Sequence, residues 1–138
     1  MRWLRDRRVW SALFALAVVV QLLALYWPNP PQGGGAPGLD KVVHAGVFLA
    51  PALLGLLAGL PAVVLAPLLI AHAVVSELVQ HFLLPGRAGD PWDAVADIVG
   101  VAVGLAIGSA LLLRAADRPE GPASGGAPTG SGGRRRQP

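Results

Sequence analysis

A chain of 138 residues with 54% hydrophobic side chains and only 14% charged ones is too apolar for an ordinary water-soluble core, so lipid is the expected solvent for much of its surface. The net charge of +3 is concentrated at the two ends rather than on a basic face interleaved with aromatics, which argues against nucleic acid as a partner. With no cysteine there is no disulfide, no thiolate nucleophile and no cysteine-ligated metal.

Residues 1–8 carry Arg2, Arg5, Arg7 and Arg8 and read as a basic cytoplasmic N-terminus. Residues 9–27 follow as the first apolar run. It is longer than a secretory h-region and ends in Tyr26-Trp27-Pro28 rather than a small-x-small cleavage site, so it is read as a retained transmembrane helix. Residues 28–40 are rich in Pro and Gly and form a predicted outer loop, with Asp40 expected to cap the next helix. Further apolar runs cover residues 42–60, 62–84 and 92–113, with Pro61 opening the third helix. At roughly 19 to 23 residues, each run can cross a hydrocarbon core of about 30 Å. Residues 115–138, rich in Gly, Pro, Ser and Arg with almost nothing to bury, read as a disordered cytoplasmic tail.

Nine of the 11 basic residues lie before residue 9 or after residue 113, which places both termini inside a plasma membrane. Trp3 and Trp10 then fall near the inner interface, and Trp27 and Trp92 near the outer one. The expected fold is an all-α membrane protein, a bundle of four transmembrane helices with a core over residues 41–114.

This topology gathers the remaining polar residues at the outer side. Asp40, Lys41 and His44 begin the second helix; Glu77, Gln80 and His81 lie near the end of the third; Arg87 and Asp90 occupy the following loop; Asp93 and Asp97 begin the fourth. Residues three and four apart share a helix face, so Lys41 with His44, Glu77 with Gln80 and His81, and Asp93 with Asp97 form three facing sets. Below Asp97, Gly100, Gly104 and Gly108 continue as a small-residue stripe, for which Gly55 and Gly59 offer a matching pair in the second helix. Lys41 and Arg87 face five carboxylates, a formal excess of three negative charges that a protonated carboxyl, a charged histidine, a bound cation or a cationic ligand could relieve. Asp90 before Pro91 is equally a helix N-cap signature, supported by Asp93 in the first turn. His72, with no charged neighbour at helical spacing, is expected to hydrogen-bond between helices. Glu77 and Asp97 lie too deep to be idle, because an ionised group within the bilayer costs about 2.5 to 3.5 kcal/mol on insertion scales unless paired or hydrated.

Asp40-Lys41-x-x-His44, Glu77-x-x-Gln80, Arg87 and Asp90-x-x-Asp93-x-x-x-Asp97-x-x-Gly100 together resemble the VanZ-like family of small bacterial membrane proteins. The resemblance spans residues 40–108, and the family commonly has asparagine where this chain has Asp97. It implies a multi-pass protein linked to resistance against teicoplanin-type glycopeptides, which act at the outer membrane face.

The expected ligand-binding set is therefore Lys41, His44, Glu77, Gln80, Arg87, Asp93 and Asp97. Lys41 and Arg87 would meet anionic groups of an envelope lipid or glycopeptide, while the carboxylates hold those bases or accept ligand hydroxyls. The alternative is an intramembrane enzyme on a lipid-linked precursor, with Glu77 as general base and His44 or His81 as acid. A metal version of that alternative would use His44, His81, Glu77 and Asp93, but there is no HExxH-type motif, and neither a metal nor a cofactor is expected. Ion translocation through Glu77 and Asp97 is disfavoured by an inner half whose only polar groups are His72, Ser76 and Ser109. A purely structural polar staple is the remaining reading. Membrane lipids are the expected surroundings, with no nucleic-acid partner.

Overall fold

In the computed structural model, residues 6–27, 38–85 and 89–117 are described, and they contain helices and no strand. The helices are α1 (Arg7–Tyr26), α2 (Leu39–Leu57), α3 (Ala62–Leu83) and α4 (Pro91–Ala116). All four are long and apolar enough to cross a membrane. The expected four-helix bundle is what the chain forms. The readings of residues 1–5, of most of the loop at 28–37, of Arg87 and of the tail beyond residue 117 fall outside the described residues.

Local chemistry moves several helix ends from their expected places. Asp6 accepts from the backbone N–H groups of Arg8 at 3.2 Å and Val9 at 3.5 Å, so α1 begins early enough to include both arginines. Asp40 is not a cap: α2 starts at Leu39 after Gly38, whose φ of 81° is readily adopted only by glycine, and Asp40 lies inside the first turn. The far end of α2 comes before residue 60 because Gly59, at φ 91°, reverses the chain. There Gly59 N–H donates to Leu56 O and Leu60 N–H to Gly55 O, both at 2.9 Å, the paired closure of a Schellman turn. Pro61 then serves as N-cap of α3. Asp90 caps α4 with Pro91 at its first position, as expected, and α4 runs to Ala116, into the segment read as tail.

The most extensive helix pair is α2 with α4. Gly100, Gly104 and Gly108 form the contact strip on α4, but the matching surface on α2 is Ala45, Leu49, Ala52, Leu53 and Leu56 rather than Gly55 and Gly59. Gly55 instead faces Leu65 and Phe14, and Gly59 faces Arg7. Leu25, Phe48, Ala52, Leu56, Leu65, Leu69, Ala73 and Val101 make the buried core. Large apolar side chains point outward from every helix, including Val63 at 80% exposure and Phe82 at 72%, a surface suited to lipid rather than water.

His72 makes the interhelical bond expected of it, with Nε2 3.1 Å from the Tyr26 hydroxyl and its ring 5.5 Å from that of Phe48. This ties α1 to α3. Tyr26→Phe is expected to lower bundle stability by about 0.6 kcal/mol, the usual size of such a bond within a bilayer, in a reversible detergent–SDS unfolding titration.

Candidate functional site

The beginnings of α2 and α4 and the end of α3 meet at one end of the bundle. Two layers of polar contacts form there. In the upper layer, Lys41 Nζ donates to Asp40 at 3.1 Å, Asp90 at 2.9 Å and Asp93 at 2.7 Å, so each ammonium proton has a carboxylate acceptor. Two of these bonds join the first turn of α2 to the start of α4. Lys41 thereby acts as an electrostatic staple between the most closely packed helices.

One turn deeper, His44 stands between the other two helices. Its Nδ1 is 3.1 Å from Asp97 Oδ1 and 3.8 Å from Glu77 Oε1, and its Nε2 is 3.8 Å from Asp93 Oδ2. Asp97 is fully buried and Glu77 is 8% exposed. Glu77 Oε2 accepts the Asp90 backbone N–H at 2.9 Å, which fixes the carboxylate against the loop entering α4. Its second oxygen, Oε1, and Asp97 Oδ2 are buried without a hydrogen-bond partner in the protein. The proximity of His44 to Asp97 depends on Gly100, which packs on the backbone of Ala45, the residue after His44.

Asp90 combines two roles, capping α4 through Trp92 N–H at 2.9 Å and pairing with Lys41. The Lys41 ammonium first, and the Trp92 N–H second, hold its carboxyl below the usual carboxylate range. Because the folded value is depressed, this contribution to stability is full above the ordinary aspartate value of about 3.9 and is lost as pH falls through the lowered folded value. Wild type is expected to lose thermal midpoint over that acidic window. Asp90→Asn should flatten that part of the profile.

The structure thus brings Lys41, His44, Glu77, Asp93 and Asp97 together, whereas Arg87 lies outside the described residues. Gln80, one turn beyond Glu77, is buried at 3% exposure. His81 shares a cavity with Glu77 but is not part of the group around His44. It packs edge-on against Phe82, with ring centres 4.6 Å apart, and borders that cavity, of about 410 Å³, between α3 and the start of α4. Val74, Leu78, Phe82, Pro91 and Ala94 supply the apolar walls, and Glu77 with His81 the polar edge. Glu77 therefore borders both the cavity and the buried centre. The grouping compatible with a metal among the described residues is His44, Glu77 and Asp97, with donor atoms within 4.8 Å of one another, rather than a set including His81.

Sequence reasoning overlooked Gln21, 1% exposed on α1 with its Nε2 lacking a hydrogen-bond partner. Its signal was available as a lone amide within a 20-residue apolar helix. The Asp90 N–H bond to Glu77 had no such signal, because a loop N–H is the same in every residue type except proline.

The fold and this site define a bundle of four membrane-span-capable helices, the build of a multi-pass membrane protein, with an acidic centre around one histidine. No protein-family model, curated protein or solved structure matches the chain.

Proposed function

We propose that the chain is a VanZ-like protein of a bacterial plasma membrane, with both termini cytoplasmic, whose polar end faces outward and binds an amphiphilic envelope component. The cavity carries this reading. Its walls include Val74, Leu78 and Phe82, which are 46%, 51% and 72% exposed on the lipid-facing side of α3, while its edge presents Glu77 and His81. An apolar chain along α3 with a hydroxyl-bearing head at Glu77 satisfies both surfaces. Arg87, two residues before the cavity residue Gly89 in the sequence, is the cation this reading assigns to a phosphate or carboxylate on the same head. Lys41, already surrounded by three carboxylates, gains little from a further anion and serves to hold the acidic rim.

Binding of such a ligand links the protein to protection against teicoplanin-type glycopeptides, the process suggested by the sequence resemblance. The test is a titration of purified full-length protein in nanodiscs with phosphate-headed amphiphiles, neutral-headed amphiphiles of the same chain length, and teicoplanin. A preference for one class, weakened at least about tenfold by Arg87→Ala or Glu77→Gln, is the expected result. Equal weak binding of all three, unchanged in both variants, overturns the proposal.

A further inference from the structure

We propose that His44, Glu77 and Asp97 form a binding site for one divalent transition-metal ion of the zinc or manganese type. One donor comes from each of α2, α3 and α4, and the donor atoms lie within 4.8 Å of one another. Ligands on a tetrahedral ion with bonds of 2.0–2.2 Å stand about 3.4 Å apart. His44 Nδ1 lies 3.1 Å from Asp97 Oδ1 and 3.8 Å from Glu77 Oε1, on either side of that value.

The orphaned oxygens are the independent observation. Glu77 Oε1 and Asp97 Oδ2 belong to side chains more than nine-tenths buried, and neither has a hydrogen-bond partner. Glu77 Oε1 faces His44 Nδ1. A buried carboxylate oxygen left in this way carries an uncompensated desolvation penalty, which coordination of Glu77 Oε1 to a cation removes. The charges also close: two carboxylates and a neutral imidazole around a divalent ion sum to zero, the cheapest total in a low-dielectric bundle.

The surrounding contacts orient the donors. Asp90 N–H holds Glu77 by Oε2 at 2.9 Å and leaves Oε1 for the ion. With Nδ1 on the metal, the His44 proton resides on Nε2, which faces Asp93 Oδ2 at 3.8 Å, and Asp93 is itself anchored by Lys41 at 2.7 Å. A carboxylate behind a ligating histidine is the common supporting arrangement. One nitrogen and two oxygens favour zinc, manganese or iron over calcium or magnesium, which take oxygen ligands. Three protein ligands leave a coordination position for water or a ligand atom. Glu77 also borders the cavity.

The experiment uses chelator-stripped full-length protein in nanodiscs and metal ions alone, without amphiphile, so its outcome is separate from the binding reading above. Zn²⁺ should bind with a stoichiometry of one and at least about 100-fold more tightly than Mg²⁺ or Ca²⁺. Asp93→Asn should weaken Zn²⁺ by about 10- to 100-fold, and Asp97→Asn and Glu77→Gln by more, with helix content checked by circular dichroism. Asp117→Asn, at the opposite end of α4, should have no effect. Should a variant fail to fold, the visible spectrum of Co²⁺ on the wild type reports directly: an intense four- or five-coordinate band supports the site, and the weak band of octahedral aqueous cobalt overturns it. Zn²⁺ binding no tighter than Mg²⁺, or unaltered in folded Asp97→Asn and Glu77→Gln, overturns it as well.

Discussion

Gly100→Val is expected to be among the most damaging single substitutions in the chain. A Cβ at position 100 collides with the Ala45 carbonyl oxygen and lies 2.9 Å from Ala45 C and 3.0 Å from its Cα. These are backbone atoms, so no side-chain rotation relieves the clash. The helices must move apart, and α2 with α4 is the most extensive interface of the bundle. Overpacking a tight site ordinarily costs about 1–3 kcal/mol; a side-chain carbon driven into the backbone of the most extensive helix pair belongs at or above the upper end. The three glycines should also be graded. An added Cβ at Gly104 meets Leu49 O at 2.5 Å and Ala52 Cβ at 2.9 Å, whereas at Gly108 it meets first the flexible end of Leu56, at 2.9 Å. Alanine at 100, 104 and 108 should therefore lower the SDS unfolding midpoint in that order of severity. A Gly108→Ala loss equal to that of Gly100→Ala would refute this account of the interface.

His44→Leu, measured with chelator present, is the second large effect. Among the described residues the imidazole is the cation-capable group in ion-pair range of Asp97, which is fully buried, and of Glu77, which is 8% exposed. Removing it strands two carboxylates in a low-dielectric centre, a change that costs about 3–5 kcal/mol for buried pairs. The double substitution His44→Leu with Asp97→Asn keeps the shape of residue 97 while removing its charge. It is expected to recover more than half of the loss. If His44 served only to fill space, Asp97→Asn would bring no recovery, and the unfolding midpoints of the single and double variants would coincide.

Both predictions rest on the same few ångströms between α2 and α4, which is where sequence and tertiary structure divide. Four apolar runs interrupted by Pro and Gly were enough to read four helices, since an unbroken hydrophobic stretch of that length has few other uses. Helical spacing was enough to place Lys41 and His44 on one face and Asp93 and Asp97 on another, and Asp90 before Pro91 announced the start of α4. The stripe of Gly100, Gly104 and Gly108 announced that a backbone would come close.

Which backbone came close was not legible. A small-residue pattern states that approach is permitted, and Gly55 with Gly59 looked like the complement. Yet Gly55 lies on the face turned to Leu65 and Phe14, and Gly59 has left the helix at a positive φ. The offset between α2 and α4 in turn assigned the acids. With Gly100 seated on Ala45, Asp90 and Asp93 fall beside Lys41 and Asp97 falls beside His44. A shift of one turn would exchange those partners without altering the spacing in the chain. His81 shows the same limit: it shares a cavity-lining face with Glu77, as the count implies, yet it stays out of the group that Glu77 forms with His44 and Asp97. The composition and periodicity of this sequence thus determined a lipid-facing four-helix bundle with its polar residues gathered at one end, because those properties depend on local spacing and on transfer out of water. Tertiary contact alone decided that three helices would bring one histidine and two buried carboxylates within 4.8 Å, because that depends on the relative offset of helices far apart in the chain.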